Sequence, residues 1–179
     1  MSRSRAVTEA FTEMAPDYEA TVDGELRRLW GFGYREFVER FVGIAAIPPG
    51  ATVLDVATGT ALIPMQLAGR VGDSGWIVGL DITPDMLAHA QSNLARVGAS
   101  TPIDLTCASG LEIPFRAGTF DVVMCGLATH HMEVPKMLSE MRRVLKGGGK
   151  LVLADVGASP FWRSWLGRIW LRILMVQFG

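Results

Sequence analysis

From Thr52 onward the chain alternates short apolar runs with amphipathic stripes, and this alternation restricts the fold more than any other feature. Thr52-Val-Leu-Asp-Val56 reads as a strand followed by a glycine-containing turn, with Pro64 in the first turn of the next helix, where proline is tolerated. Gly75-Trp-Ile-Val-Gly-Leu80 is a second strand ending at Asp81. Thr83 then caps a helix opened by Pro84, with Leu87, Ala90, Leu94 and Val97 as its stripe and Gly98 as a left-handed stop. Ile103-Asp-Leu-Thr-Cys107 and Phe120-Asp-Val-Val-Met-Cys125 are the third and fourth strands. Met137, Leu138, Met141, Val144 and Leu145 form a stripe that starts at Pro135 and stops at Gly147-Gly-Gly149, and Lys150-Leu-Val-Leu-Ala154 is the fifth strand. Continuous apolar strands need cover on both faces, which a parallel sheet between helix layers provides.

The expected fold class is therefore α/β: a Rossmann-like, doubly wound, mostly parallel sheet with helices on both faces. Crossovers in such sheets are right-handed, and ligands bind beyond the carboxyl ends of the strands where strand order reverses. Residues 1–47 read as an N-terminal helical cover segment. Leu26, Leu29, Trp30, Tyr34, Phe37, Val38 and Phe41 recur there at helical spacing, with Gly31 and Gly33 weakening the helix by about 1 kcal/mol each. Pro48-Pro-Gly50 ends it. Residues 48–157 are the core, and 158–179 form an aromatic, basic tail read as helical, a lid or substrate region.

A length of 179 residues with 49% hydrophobic content suits one domain with one core. A net charge of -1 without a long like-charge block argues against a nucleic-acid partner. Cys107 and Cys125 both lie in apolar runs without metal-ligand spacing, so buried free thiols in a reducing compartment are expected, and no metal. Basic Met1-Ser-Arg-Ser-Arg5 is not followed by an apolar segment of signal-peptide length. Arg163, Arg168 and Arg172 interrupt the apolar stretch 161–178, each costing on the order of 2.5–3.5 kcal/mol at a bilayer centre. The chain therefore reads as soluble and cytoplasmic. Trp162, Trp165 and Trp170 beside those arginines leave open a contact of 161–178 with a membrane surface, although the arginines do not gather on one helical face. The other reading of that tail is a lid or core helix.

The residues that follow the strands carry the chemistry. In Asp55-Val-Ala-Thr-Gly-Thr-Ala61, small residues at 57, 59 and 61 let the backbone bend tightly and approach a ligand, and the helix that follows offers N–H groups to an anion. Asp55 can bind an ammonium group, directly or through water. Asp81, at the end of the second strand, can accept hydrogen bonds from ribose hydroxyls. An amino acid joined to a nucleoside satisfies all three features; a turn whose small residues serve packing alone is the alternative.

Val53-Leu-Asp-Val-Ala-Thr-Gly-Thr-Ala61 resembles motif I of class I S-adenosylmethionine-dependent methyltransferases, and Leu80-Asp-Ile-Thr-Pro-Asp-Met86 resembles their second-strand motif. Leu111-Glu-Ile-Pro-Phe115 with Thr119-Phe-Asp-Val-Val123, and Glu140 to Leu151 across the three glycines, resemble the later motifs in the same order. Asp-Val-Ala-x-Gly-Thr is similar to the loop of the ubiquinone/menaquinone biosynthesis methyltransferases. Phe11-x-x-Met-Ala-Pro-x-Tyr18 resembles the segment that covers the cofactor in that group, which implies Tyr18 as a lid residue; a packing tyrosine is the alternative.

The resemblance implies S-adenosyl-L-methionine as cofactor, with S-adenosyl-L-homocysteine as product. The implied cofactor residues are Tyr18, Asp55, Ala57, Thr58, Gly59, Thr60, Asp81, Ile82, Met86, Ala108, Ser109, Gly110, Cys125, Gly126 and Leu127. It implies methyl transfer to a small-molecule acceptor, a quinol, phenol or lipid-like precursor. His130 and His131 follow the fourth strand; one of them is a candidate base, and a helix-capping or cofactor-wall role is the alternative. Leu127 and Ala128 are expected to line the cofactor pocket, whereas His89 is expected in solvent.

The pattern departs from the family in three places. Ala61 stands where a third glycine is usual, which narrows the approach. Ser109, preceded by Ala108, stands where an acid usually contacts adenine, and can still accept a hydrogen bond as a neutral group. Relatives continue through a further helix and an antiparallel strand pair, so the sheet is expected to lack that pair. Its open edge would then need a second copy, by dimerisation or domain swapping. Two other functions are weighed. One is a non-catalytic cofactor-binding or scaffold protein. The other is an NAD-binding Rossmann protein, whose Gly-x-Gly-x-x-Gly order this loop lacks.

Overall fold

A computed structural model describes residues 3–98, 100–157 and 170–177. The apolar runs form β1 (Thr52–Val56), β2 (Trp76–Asp81), β3 (Ile103–Cys107), β4 (Phe120–Gly126) and β5 (Leu145–Gly157), all parallel. A further strand, β6 (Trp170–Gln177), lies antiparallel on β5. The order is β3-β2-β1-β4-β5-β6, which reverses between β1 and β4. The helices are α1 (Arg3–Met14), α2 (Tyr18–Trp30), α3 (Tyr34–Ala45), α4 (Leu62–Val71), α5 (Pro84–Val97) and α6 (Val134–Val144). The expected Rossmann-like α/β fold is thus the observed one.

Alternation along the strands divides the core into two layers. Val53, Ile77, Val122 and Met124 share one cluster with Phe37, Phe41 and Val42 of α3 and Leu67 of α4. Leu54, Val78, Val123 and Cys125 share the other with Met137, Met141 and Val144 of α6. Each such large side chain contributes about 1.5–3 kcal/mol when fully buried. The N-terminal helices dock through polar contacts as well. Thr12 Oγ1 donates to Asp85 of α5 at 2.8 Å. Asn93 Nδ2 donates to Glu19 at 2.9 Å and to the Thr60 carbonyl at 3.1 Å, tying α5, α2 and the β1 turn together.

Several expectations are corrected. Gly31 and Gly33 do not weaken one helix; they separate two, Gly31 closing α2 at φ 78° and Gly33 opening α3. The buried stripe of α5 is Met86 and Ala90, while Val97 is exposed, because the helix rotates toward β2 and β3. Cys107 is exposed, not buried: β3 is an edge strand with helical cover on part of its length only. Helix α6 ends at Val144, ahead of the three glycines, and Leu145 already pairs with Phe120.

The tail is the largest correction. Residues 170–177, expected in a helix, form a strand. A continuous apolar run containing Trp, Ile and Val fits either structure by periodicity, and the outer edge of β5 supplies unpaired N–H and C=O groups that decide it. The edge expected to await a second copy is therefore covered within the chain, by an antiparallel strand where none was expected. Trp162, Trp165, Arg163 and Arg168 lie outside the described residues. Among the described residues no helix is long and apolar enough to cross a membrane, and no cluster of His, Cys, Asp and Glu could hold a metal ion.

Candidate functional site

The turns after β1, β2, β3 and β4 converge on one cavity of ≈ 260 Å³ at the carboxyl end of the sheet, roofed by Val7, Phe11 and Tyr18. Three residues of the first turn are left-handed: Ala57 (φ 60°), Gly59 (φ 56°) and Ala61 (φ 65°). Such a backbone costs a non-glycine residue about 1–2 kcal/mol, so neighbouring contacts must hold it. They do. Thr58 N–H donates to the Leu80 carbonyl at 3.0 Å, and Gly59 N–H donates to Asp81 Oδ2 at 2.9 Å. Thr83 N–H takes the other oxygen, Asp81 Oδ1, at 2.9 Å. Asp81 thereby grips the turn after its own strand and the turn after β1 together. Burial raises its pKa, partly opposed by those amides.

Asp55 sits behind the turn rather than on the cavity wall. It is fully buried; Oδ2 accepts from Thr58 Oγ1 at 2.7 Å, and Oδ1 has no partner among the described residues. Burial pushes its pKa up to about 7. Thr60 Oγ1 is likewise buried and unpartnered. Glycine at 79, directly across from Asp55, makes room for Thr58: a Cβ there would lie 2.9 Å from Thr58 Oγ1.

Tyr18 lies over the turn, its Cε1 3.6 Å from where a Gly59 Cβ would stand. It packs edge-on against Tyr34 at 6.1 Å and hydrogen-bonds to it. Burial pushes the Tyr18 phenol up to about 12. After β3, Ser109 Oγ accepts from Leu111 N–H at 3.1 Å. That turn is latched to α6: Arg143 donates to the carbonyls of Ile113 and Phe115, both at 2.8 Å, and Ile113 N–H donates to Glu140. After β4, Leu127 (φ 59°) donates to the Ala154 carbonyl at 2.7 Å, and a single 3₁₀ turn, Thr129–His131, follows.

Of the residues expected to hold a cofactor, Tyr18, Ala57, Gly59, Asp81, Ile82, Met86, Ser109, Gly110 and Leu127 line the cavity, as does Ala128. Asp55, Thr58, Thr60, Ala108, Cys125 and Gly126 do not. Cys125 and Ala108 belong to the α6 layer, and Gly126 packs under Ile63, Phe41 and Phe37. His131 lines the cavity and His130 does not. His89 is exposed, as expected. Val7, Leu80, Thr83, Leu111, Met132 and Glu133 also line it. Val7 was detectable, because it precedes Phe11 by one helical turn; Met132 and Glu133 lie just beyond the histidines.

A profile of the ubiE/COQ5 methyltransferase family matches residues 1–161. The chain belongs to that family. A demethylmenaquinone methyltransferase of Symbiobacterium thermophilum is 32% identical over 162 residues, covering 90% of this chain and 62% of that protein. A ubiquinone/menaquinone biosynthesis C-methyltransferase, UbiE, of Geobacter sp. (strain M21) is 33% identical over 158 residues, covering 86% of this chain and 64% of its own. This ubiE/COQ5 member thus spans less than two thirds of either relative. In fold it resembles a SAM-dependent methyltransferase from Aquifex aeolicus, with a TM-score of 0.66 at 23% identity, covering 82% of this chain and 76% of that one. The resemblance drawn from its motifs is borne out.

Proposed function

We propose that this chain binds S-adenosylmethionine in the cavity at the strand ends and transfers its methyl group to a small-molecule acceptor, a quinol- or phenol-like ring or a lipid-like precursor of one. The observation that carries the proposal is Asp81. Its carboxylate is fixed by the backbone N–H groups of Gly59 and Thr83 and lines the cavity, so an acceptor for ligand hydroxyls is held in place at the end of β2. The remaining wall suits the rest of such a ligand: Ile82, Met86 and Leu111 are apolar, and Ser109 offers a neutral hydrogen-bonding group. Asp55 and Thr60 lie behind the turn with an unpartnered oxygen each, the charge and polarity that an amino-acid moiety calls for nearby.

When bound, the cofactor supplies an electrophilic sulfonium methyl group. The protein's share is positioning and exclusion of water, for which the lid of Val7, Phe11 and Tyr18 is suited. A phenolic or enolic acceptor must also lose a proton, and His130 and His131 are the candidate bases. NAD fits less well, since the turn has Ala57 and Ala61 with Gly59 as its one glycine, and Pro64 already lies in α4.

Transfer of labelled methyl from S-adenosylmethionine to a panel of hydroquinones and phenols tests the reading. Label on a ring acceptor supports it. Tight cofactor binding with no transfer to any panel member would favour a non-catalytic cofactor-binding protein instead.

A further inference from the structure

A second cavity of ≈ 480 Å³ lies beneath the N-terminal helices, within the size range of small-molecule sites. Phe11, Leu26, Leu29 and Trp30 make its wall largely apolar. It shares Val7, Phe11, Tyr18, Leu127 and His131 with the first cavity, so one layer of side chains separates the two. His130 lines the second cavity alone.

The His130 side chain is held by Asp155 at the end of β5. Nδ1 of the ring lies 2.8 Å from Asp155 Oδ1, and the backbone N–H of His130 donates to Oδ2 at 2.9 Å. Thr129 Oγ1 donates to that same Oδ2. With two donors already on one oxygen, the carboxylate acts as an acceptor, and Nδ1 is the donating nitrogen. Nε2 is then the nitrogen with the basic lone pair.

We infer that the second cavity is the acceptor chamber for a flat, apolar, hydroxyl-bearing ring, and that His130, positioned by Asp155, takes the hydroxyl proton there. This rests on the proposed function and goes beyond it by assigning a place for the acceptor and a role to each histidine. Among the described residues, the ionisable side chains lining the chamber are Tyr18, Glu25, His130 and His131. Tyr18 keeps its proton, its phenol being pushed up by burial. Glu25 is an exposed residue of α2. His131 packs edge-on against Phe11 at 5.1 Å and lines both cavities, which makes it part of the partition. His130 is the one that Asp155 is seen to orient through Nδ1 among the described residues. In the step, the acceptor O–H bond breaks, the electron pair stays on oxygen, and the proton is held at Nε2. Asp155 balances the imidazolium across Nδ1, and the proton leaves to water afterwards.

2-Naphthol tests this, because its absorbance distinguishes phenol from phenolate. It is titrated into the full chain with and without S-adenosylhomocysteine, and the bound probe is scanned against pH. Wild type should bind it and lower its ionisation by about 1–3 pH units, the effect of an adjacent positive charge. Leu29→Trp, which fills the chamber, should abolish probe binding and leave S-adenosylhomocysteine affinity intact. His130→Gln should bind the probe without lowering its ionisation, and Asp155→Asn should lose most of the shift. Equal probe binding in Leu29→Trp, or an unchanged shift in His130→Gln, would overturn the inference. Failure of S-adenosylhomocysteine to bind would overturn the cofactor reading instead, and the arms run without it still decide the chamber.

Discussion

The backbone N–H of Gly59 donates to Asp81 Oδ2 at 2.9 Å, and this bond joins the turn after β1 to the end of β2. Asp81 is 8% exposed, so the bond forms away from water, where a charge-assisted hydrogen bond to an amide is worth about 1.5–3 kcal/mol. It is also why Gly59 and Ala57 stay left-handed. The carboxylate that shapes the turn is the one that faces the cavity, so the shape of the site and its ligand preference depend on the same side chain.

Stability should fall as pH rises toward neutrality, and Asp55 should be a main cause. Burial raises its pKa from 3.8 to about 7, so the folded chain binds this proton more tightly than the unfolded chain does. The stabilisation is full below the ordinary carboxylate pKa and is lost as pH rises through about 7, a change of at most about 4 kcal/mol. Asp55→Asn should flatten that part of the profile and raise stability at pH 8. Urea titrations at pH 5 and pH 8 check this; an unchanged slope in the variant would exclude Asp55 as its source.

Gly79→Ala should loosen the first turn without touching the cavity directly. The added Cβ would lie 2.9 Å from Thr58 Oγ1, 3.0 Å from Thr58 Cγ2 and 3.1 Å from Leu105 Cδ2. Overpacking of this kind costs about 1–3 kcal/mol. Denaturant melts should show that loss, and S-adenosylhomocysteine affinity should fall with it because Thr58 is displaced from Asp55.

Two left-handed alanines should respond differently to glycine. Ala46 closes α3 at φ 45° and is exposed, so Ala46→Gly should relieve about 1 kcal/mol of strain and raise the melting temperature by about 2–4 °C. Ala61 is fully buried, and losing its methyl forfeits about 0.8 kcal/mol of burial. Ala61→Gly should therefore leave the melting temperature nearly unchanged. Thermal scans of both variants decide it.

Strand positions were legible because five apolar runs were each bounded by a turn signal; β1 and β3 match their expected limits to the residue. Asp81, Ser109 and Leu127 were legible because sites of this topology collect residues just past strand ends. Other features depend on long-range contacts that no local pattern carries. Gly79 looks like any strand glycine until Thr58 is seen lying over it. Asp55 stands in the expected place in the chain, but its buried side chain is taken up by Thr58 and so acts from behind the turn. Asp155 becomes meaningful only when the β4–β5 pairing brings it beside His130. The strand at 170–177 depended on an open edge at β5, a property of the assembled sheet.

The most direct test of the cofactor site is a calorimetric titration of S-adenosylhomocysteine and of NAD into wild type and Asp81→Ala. Wild type should bind S-adenosylhomocysteine and give no heat with NAD. Asp81→Ala should weaken binding by about 10–100-fold, the equivalent of about 1.5–3 kcal/mol of lost charge-assisted hydrogen bonding. Undiminished binding in Asp81→Ala, or NAD binding in place of S-adenosylhomocysteine, would contradict the site described.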